Sequence, residues 1–520
     1  MQWNEGYVAD IDYPSGFFEE QSPAYLNFAC VLNGYEPVAL DAPFSYCELG
    51  SGRGLTANLL AASNPQGDFY AADFLPSHVA GARQLARSAQ LDNLTLLEDS
   101  FADLAEGRVA GLPQFDFITL HGVYTWVTAD NRGHIVNFIK RYLKPGGIVY
   151  VSYNALPGWN ATLPLQRLML EHADRHPGRS GAQLEGARRF IDTLRATKAG
   201  YFGAQQPRLQ HRLDSLKNDN ANYLAHEYMN RGWQPLYHAD VARDLAAAKL
   251  DYVGSTELPM AFPHLYLSAE QQTLLDGMPD EIMRQTVQDY LLNTPFRNDV
   301  YVRGARRLTP ARRLDCLRRM GLALIVPEVR AEAELDWVLG KVQLPPELLT
   351  PVLAALRAGP ASFAQLAALP ALAAAPQPAL YPLAEMAALL VAAGQAAVYC
   401  VDAAPACAQA ARRMNLAVAR QSRFDDHYQA LASPLLGNGV VAGLVQRLVY
   451  LALAEREGAM EQADVDPAAV AATVGAQMAL QGLRLGAADA PAAAELADLE
   501  QTVRAILQHR LPLWRQLKML

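Results

Sequence analysis

The stretch Phe44 to Gly54, Phe-Ser-Tyr-Cys-Glu-Leu-Gly-Ser-Gly-Arg-Gly, limits the folds open to this chain more than any other. Its first half is a short apolar run of strand type. Its second half carries glycine at every other position: Gly50, Gly52 and Gly54. Leu55 to Ala62 reads as the start of a helix. Strand, glycine turn and helix form the first unit of a doubly wound α/β sheet, and ligands bind at the carboxyl ends of such strands. Glycine belongs in that turn because it accepts positive φ and has no Cβ to hold a ligand off the backbone.

A chain of 520 residues exceeds one ordinary domain; about two to four are expected. Hydrophobic residues at 51% and charged residues at 19% describe a soluble globular protein with a large core. A net charge of −9 and a pI near 5.7 argue against broad nucleic-acid binding and leave room only for a local basic groove. Cys30, Cys47, Cys316, Cys400 and Cys407 are scattered and odd in number, so free thiols in a reducing compartment are expected. No CxxC or His/Cys cluster points to a metal. Met1 opens onto polar and aromatic residues, unlike a signal peptide. The Ala/Leu runs near 385–395 and 440–455 are too short or interrupted for stable membrane insertion. The expectation is a cytoplasmic protein.

Before the first strand, Tyr13-Pro14-Ser15-Gly16-Phe17-Phe18 leads to Ser22-Pro23, an N-cap with proline at the first helical position of a helix through about Leu32. Such a segment either folds over the ligand end or packs as a plain helix. The second strand, Asp68 to Ala72, ends in Asp73, which lies 23 residues after Gly50. That spacing suits a carboxylate at the strand tip accepting from ribose hydroxyls. A helix over about Ser77 to Ala89 and a third strand, Leu94 to Leu97, lead to Glu98-Asp99-Ser100-Phe101. Asp99 is placed to accept from an adenine amine, and Phe101 to cover a ring face. Phe115 to Leu120 is the fourth strand and runs into His121-Gly122-Val123-Tyr124-Thr125-Trp126. Lys144-Pro145-Gly146-Gly147 reads as a sharp turn before strand five, Ile148 to Tyr153, which ends in Asn154. Strands alternating with helices predict a parallel sheet.

A glycine turn after a strand does not by itself choose the ligand. A nicotinamide or flavin site usually has GxGxxG, which brings the pyrophosphate to a helix N-terminus; here Leu55 and Thr56 follow Gly54. Glu48, just before the glycines, would repel a pyrophosphate and support a cationic amino-acid ligand. S-adenosylmethionine, with a sulfonium, an ammonium and no phosphate, fits better.

The run Glu48-Leu49-Gly50-Ser51-Gly52-Arg53-Gly54, Asp73, Glu98-Asp99-Ser100 and Leu143-Lys144-Pro145-Gly146-Gly147 resembles the successive motifs of class I S-adenosylmethionine-dependent methyltransferases. The resemblance implies that Gly50, Gly52 and Gly54 face the methionine part, Asp73 the ribose, and Asp99 with Phe101 the adenine. Glu48, Ser51, Phe74, Ser100, His121 and Gly122 complete the implied cofactor contacts. His121 to Trp126 and Ser152-Tyr153-Asn154-Ala155-Leu156-Pro157-Gly158-Trp159 resemble bacterial methyltransferases with a methyltransferase regulatory domain. That group includes protein-lysine methyltransferases acting on outer-membrane proteins of rickettsiae. The segments around Tyr237-His238-Ala239-Asp240 and Asn293-Thr294-Pro295-Phe296-Arg297 are similar to the regulatory domain. The resemblance covers about residues 10–310 and fixes no substrate.

Five parallel strands would leave an exposed edge, which proteins avoid. His238 to Lys249 is helical in period, Leu250 to Leu258 would be strand six, and Arg297 to Gly304 strand seven. The catalytic domain then spans 1–308, with helical insertions at about 163–231 and 268–292 and the regulatory-like segment at about 218–304. The first insertion is polar and aromatic: a lid, a homodimer surface, a clamp for a protein substrate, or a solvated helical hairpin. Residues 309–410 read as a middle domain with a winged-helix-like order, helix, helix, helix, strand, but with few basic residues for DNA. Residues 411–520 read as helical, with Ser433 to Gly439 a loop between helical segments.

Methyl transfer from a sulfonium is an in-line displacement that depends on orientation. For a lysine nucleophile, Tyr153 and Asn154 are the expected acceptors for the amine and His121 a proton relay or cofactor contact. Tyr124 and Trp126 are expected to guide the ammonium stem, with Tyr13 nearby on the substrate side. The leading expectation is transfer to a protein amine, lysine first. The alternatives are a small-molecule methyltransferase and a cofactor-binding regulator without transfer activity.

Overall fold

The computed structural model describes residues 8, 10–11, 15–203, 207–218, 220–327, 334–337, 339–374, 378–403, 408–456, 465–483 and 492–520, with backbone alone at 334–336 and 492–495. Tyr13 and Cys407 lie outside the described residues.

Seven strands form one sheet: β1 (Phe44–Leu49), β2 (Gly67–Asp73), β3 (Leu94–Glu98), β4 (Phe115–Leu120), β5 (Leu143–Asn154), β6 (Leu250–Ser255) and β7 (Phe296–Arg303). Their order is β3-β2-β1-β4-β5-β7-β6. The first five run parallel, and β7 pairs antiparallel with both β5 and β6. The order reverses beside β1, so the tips of β1 and β4 diverge there and open a crevice. Two boundaries differ from the sequence reading. Strand six stops at Ser255, because Leu258–Ala261, with Pro259, winds into a 3-10 turn. The expected Lys144–Gly147 turn is instead a bulge within β5. Phe115 and Phe117 of β4 pair with Leu143 and Ile148 of β5, and Gly146 takes φ +80°. Lys144 Nζ reaches Asp116 Oδ2 at 2.7 Å and pins the bulge to β4.

Helices α1 (Pro23–Leu32), α2 (Leu55–Ser63), α3 (Pro76–Ser88), α4 (Phe101–Glu106) and α5 (Ala129–Tyr142) flank the first strands. Ser22 caps α1, its Oγ accepting from Tyr25 N at 3.3 Å, and Pro23 opens the helix as the sequence predicts. The first insertion folds as α6 (Leu163–Arg175), α7 (Ser180–Ala196), α8 (Gly200–Gly203), α9 (Pro207–Asn218) and α10 (Ala221–Met229). It has an apolar core of its own, with Leu165, Met169, Leu184, Ile191, Leu213 and Leu224 buried together. That excludes a merely solvated hairpin. After α11 (His238–Ala246), the second insertion supplies α12 (Ala269–Asp276) and α13 (Glu281–Leu292).

The C-terminal half packs on the α1/α2 face of the sheet, in one continuous apolar core running from Leu26 and Leu59 to Leu389, Leu451 and Trp514. In it β8 (Met320–Leu324) lies between β11 (Ala361–Ser362) and β12 (Ala396–Cys400), all antiparallel, while β9 (Glu334–Trp337) and β10 (Gly340–Gln343) form a separate pair. The stretch read as a loop between helices is the turn of a hairpin, β13 (Ala430–Ser433) with β14 (Asn438–Val441). Four residues per strand are too few to show a period. Asn438 Nδ2 donates to Glu19 O and Ser22 Oγ, both at 2.9 Å, so this hairpin braces the turn that enters α1. Cys30, Cys47, Cys316 and Cys400 are free thiols. Among the described residues no helix is long and apolar enough to cross a membrane, and no cluster of His, Cys, Asp or Glu is arranged to hold a metal ion.

Candidate active site

The glycine turn leaves β1 with Gly50, Gly52 and Gly54 at φ +71°, +55° and +68°. L-residues with a side chain are strained there. A Cβ on Gly50 would lie 2.5 Å from Val123 Cγ2, and one on Gly54 2.6 Å from Ala82 Cβ, whereas one on Gly52 would meet nothing within 4 Å. Gly50 and Gly54 therefore serve close packing, and Gly52 leaves the backbone open to the cavity. The turn is tied to the tip of β2. Gly50 N and Ser51 N donate to Ala72 O at 2.8 and 3.0 Å, and Gly52 N donates to Asp73 Oδ2 at 2.8 Å. Asp73 Oδ1 accepts from Leu75 N at 2.9 Å and faces His78 Nδ1 at 3.4 Å.

Glu48 is 4% exposed at the end of β1. Its Oε1 accepts from Gln21 Nε2 at 3.4 Å, and its Oε2 is buried with no hydrogen-bond partner. Burial pushes this carboxyl up to about 8; Asp73 adds to the rise and the Gln21 bond opposes it. A cation beside Glu48 favours the ionised form, so affinity for a cationic ligand is expected to rise with pH. The expected gain is up to about tenfold per unit between about pH 6 and 8, levelling off above. Glu48→Gln removes that slope; equal slopes in titrations of the two proteins would contradict the assignment. The effect on folding has the opposite sign. The contribution from neutral Glu48 is fully present below about pH 4.5 and is lost as pH rises through about 8.

A cavity of about 1070 Å³ opens over these tips. Glu48, Gly50, Ser51, Gly52, Gly54, Asp73, Phe74, Asp99, Ser100, Phe101, His121, Gly122, Trp126 and Asn154 all line it. Burial raises the Asp99 carboxyl, helped by Asp103 and Glu98. Ser100 caps α4, its Oγ accepting from Asp103 N at 3.1 Å. Gly122, at φ +63°, has open space where a Cβ would stand, and its N donates to Ser152 Oγ at 2.8 Å. His121 stacks on Phe18, with centroids 3.6 Å apart. Its Nδ1 lies 2.9 Å from Tyr150 Oη and 3.3 Å from Glu20 Oε1. Burial raises the Glu20 carboxyl, but hydrogen bonding and charge from His121 outweigh it and hold the group below its ordinary range.

Two expectations are corrected. Tyr153 and Tyr124 are not on the cavity wall; both are fully buried. Side chains alternate along a strand, so Asn154 facing the cavity sends Tyr153 to the other side of the sheet. There the Tyr153 hydroxyl donates to Asp299 Oδ2 at 2.6 Å. The Tyr124 hydroxyl donates to Asp244 Oδ2 at 3.2 Å. Neither hydroxyl is placed to meet an acceptor amine. Tyr13 lies outside the described residues.

Several lining residues are not among the expected site residues, although a lid or clamp is one expectation for the first insertion. Phe18 comes from the segment before α1, Thr56 from α2, and Phe296 from β7. Arg212, Tyr223, His226, Glu227 and Arg231 come from the first insertion and form a helical wall of the same cavity. Phe18 N donates to Thr56 Oγ1 at 3.2 Å, which holds the strap against the glycine turn.

A methyltransferase-domain model matches residues 40–184, and a predicted methyltransferase regulatory domain matches 220–303. The Uncharacterized protein sll1526 of Synechocystis sp. is 39% identical over 460 residues, 87% of this chain and 88% of that protein. This chain belongs to the class I S-adenosylmethionine-dependent methyltransferases that carry a methyltransferase regulatory domain. S-adenosylmethionine is the cofactor of this methyltransferase. The orphaned Glu48 Oε2, the open backbone at Gly52 and the Asp73 carboxylate fit a cationic, hydroxylated ligand of that kind. The Uncharacterized protein RP028 of Rickettsia prowazekii is 28% identical over 224 residues, 42% of this chain and 86% of that protein. PKMT2 from Rickettsia typhi, solved in complex with AdoHcy, shares the fold with a TM-score of 0.68. The match covers 98% of this chain and 99% of that one at 18% identity.

Proposed function

We propose that this methyltransferase acts on a protein amine, the side chain of lysine. One observation carries the reading. The cavity has two unlike walls: the strand tips that fit the donor, with Asn154 and Trp126, and a helical layer presenting Glu227, Tyr223 and Arg212. A carboxylate among aromatic rings suits an approaching ammonium group. The likeness of fold to Rickettsia typhi PKMT2 and the sequence resemblance to rickettsial-type protein-lysine methyltransferases support it.

When bound, the cofactor supplies an electrophilic methyl group on a sulfonium. The chain binds and orients. Gly50 to Gly54, Asp73, Asp99 and Phe101 hold the donor, and Glu48 balances its positive charge. Asn154 would accept from the amine and Trp126 line its approach; both border the cavity. A lysine ammonium has a reference pKa of about 10.4 and must lose a proton first; a desolvated, aromatic channel lowers that value. Orientation within the cavity supplies the rest of the catalysis.

The test is incubation with methyl-labelled donor and a lysate, followed by amino-acid analysis of the labelled protein. Label in methylated lysine is expected. Label confined to small molecules would overturn the reading.

A further inference from the structure

We propose that Glu227, on the helical wall of the cavity, receives the acceptor's ammonium group and takes its proton. The proposal rests on the amine-acceptor reading above and adds the residue that performs the step.

Asn220 caps helix α10, its Oδ1 accepting from Asn222 N at 2.8 Å and Tyr223 N at 3.4 Å. Tyr223 and Glu227 are four residues apart and so share a helix face, and both line the cavity. Glu227 is 4% exposed. A carboxylate so buried is costly unless paired, and its partners are Arg212 and the Tyr223 hydroxyl. Arg212 Nη1 stands 3.5 Å away, at the limit of a hydrogen bond, while the Arg212 guanidinium lies over the Trp159 ring, 4.1 Å from its centroid. Burial therefore lifts the Glu227 carboxyl to about 7, against the opposing pull of Arg212 and Tyr223. Arg231, beyond α10, pairs with Asp174. His226 Nε2 lies 2.9 Å from Ile11 O. From α5, Asp130 and His134 face the same space. A cation entering beside Glu227 from the cavity would add to the compensation that Arg212 and Tyr223 give.

The bookkeeping is simple. One N–H bond of the ammonium breaks, its electron pair stays on nitrogen, and an O–H bond forms on Glu227. A carboxyl titrating near neutrality is suited to that exchange. The proton then passes to solvent at the cavity mouth. The competing account is a structural brace, with Glu227 serving only to hold Arg212 and join α10 to α9.

The probe is n-butylamine, the lysine side chain without its backbone, titrated into the complex of the full chain with S-adenosylhomocysteine. n-Butanol is the neutral control. The wild type is expected to bind butylamine over butanol. Glu227→Gln is expected to weaken butylamine at least about tenfold, leaving S-adenosylhomocysteine affinity unchanged. Butylamine affinity of the wild type falls as pH drops below about 7, and the Gln variant lacks that slope. Equal butylamine binding by both proteins would overturn the role of Glu227 alone. A wild type indifferent between amine and alcohol would overturn the amine reading itself, and the proposal with it. Should the Gln variant not fold, Glu227→Asp decides. The withdrawn carboxylate is expected to weaken butylamine while keeping the pH slope, and unchanged affinity would refute the contact.

Discussion

Asp73→Ala is expected to raise the dissociation constant for S-adenosylhomocysteine by at least about a hundredfold. The carboxylate has two duties at the tip of β2. It accepts from Gly52 N at 2.8 Å and from Leu75 N at 2.9 Å, fixing the glycine turn. It also borders the cavity where ribose hydroxyls are expected. Hydrogen bonds to a charged acceptor contribute about 1.5–3 kcal/mol each. Losing the two that the ribose hydroxyls are expected to make corresponds to about two to four decades in affinity. The residue ends a strand, so the substitution opens no large cavity in the core. Calorimetry on the full chain reads the effect, and an affinity within about threefold of wild type would remove Asp73 from this role.

Arg297→Met is expected to cost about 3–5 kcal/mol of folding stability, the usual result of breaking a buried ion pair from one side. Arg297 is 5% exposed and lies between two carboxylates. Its Nη1 reaches Asp289 Oδ1 at 2.6 Å and its Nε reaches Asp299 Oδ1 at 2.9 Å, while Nη2 donates to Gln285 Oε1 at 2.9 Å. The two acids respond differently. Burial raises both, but at Asp299 Arg297 and His238 outweigh it, whereas at Asp289 burial wins over Arg297. Asp299 has further hydrogen bonds from His238 and Tyr153, whereas Asp289 feels the Asp299 charge and its Oδ2 is buried with no hydrogen-bond partner. Methionine fills the volume and leaves both acids without the Arg297 charge. Urea unfolding reads the loss, and a change below about 1 kcal/mol would contradict the ion-pair account. The same cluster fixes β7, whose first residue, Phe296, lines the cavity.

The sheet and the strand tips that line the cavity are legible in the sequence because their signals are local. A glycine turn after an apolar run places a ligand loop, and an acid at the next strand's tip follows from spacing. The late strands β6 and β7 were found because an open sheet edge demands a cover. The residues misplaced were those set by distant contacts. Tyr124 and Tyr153 look like channel residues until Asp244, 120 residues on, and Asp299, 146 residues on, claim their hydroxyls. Which face a strand's last residue presents depends on the phase of the strand, and the Lys144–Gly147 bulge obscures that phase in β5. Phe18 and Glu20 reach His121 from a segment that a hairpin more than 400 residues on helps to brace. Glu227 sits in a polar helical insertion, where nothing in the local pattern separates a cavity-facing acid from a solvated one.

A crystal structure of the full chain with S-adenosylhomocysteine would locate the donor. The amino-acid part is expected against Gly50 to Gly54 and Glu48, the ribose hydroxyls on Asp73, and the adenine beside Asp99 and Phe101. The thioether sulfur would then face the gap toward Asn154 and the insertion wall. Density for the ligand elsewhere, or a sulfur turned away from that gap, would contradict this placement.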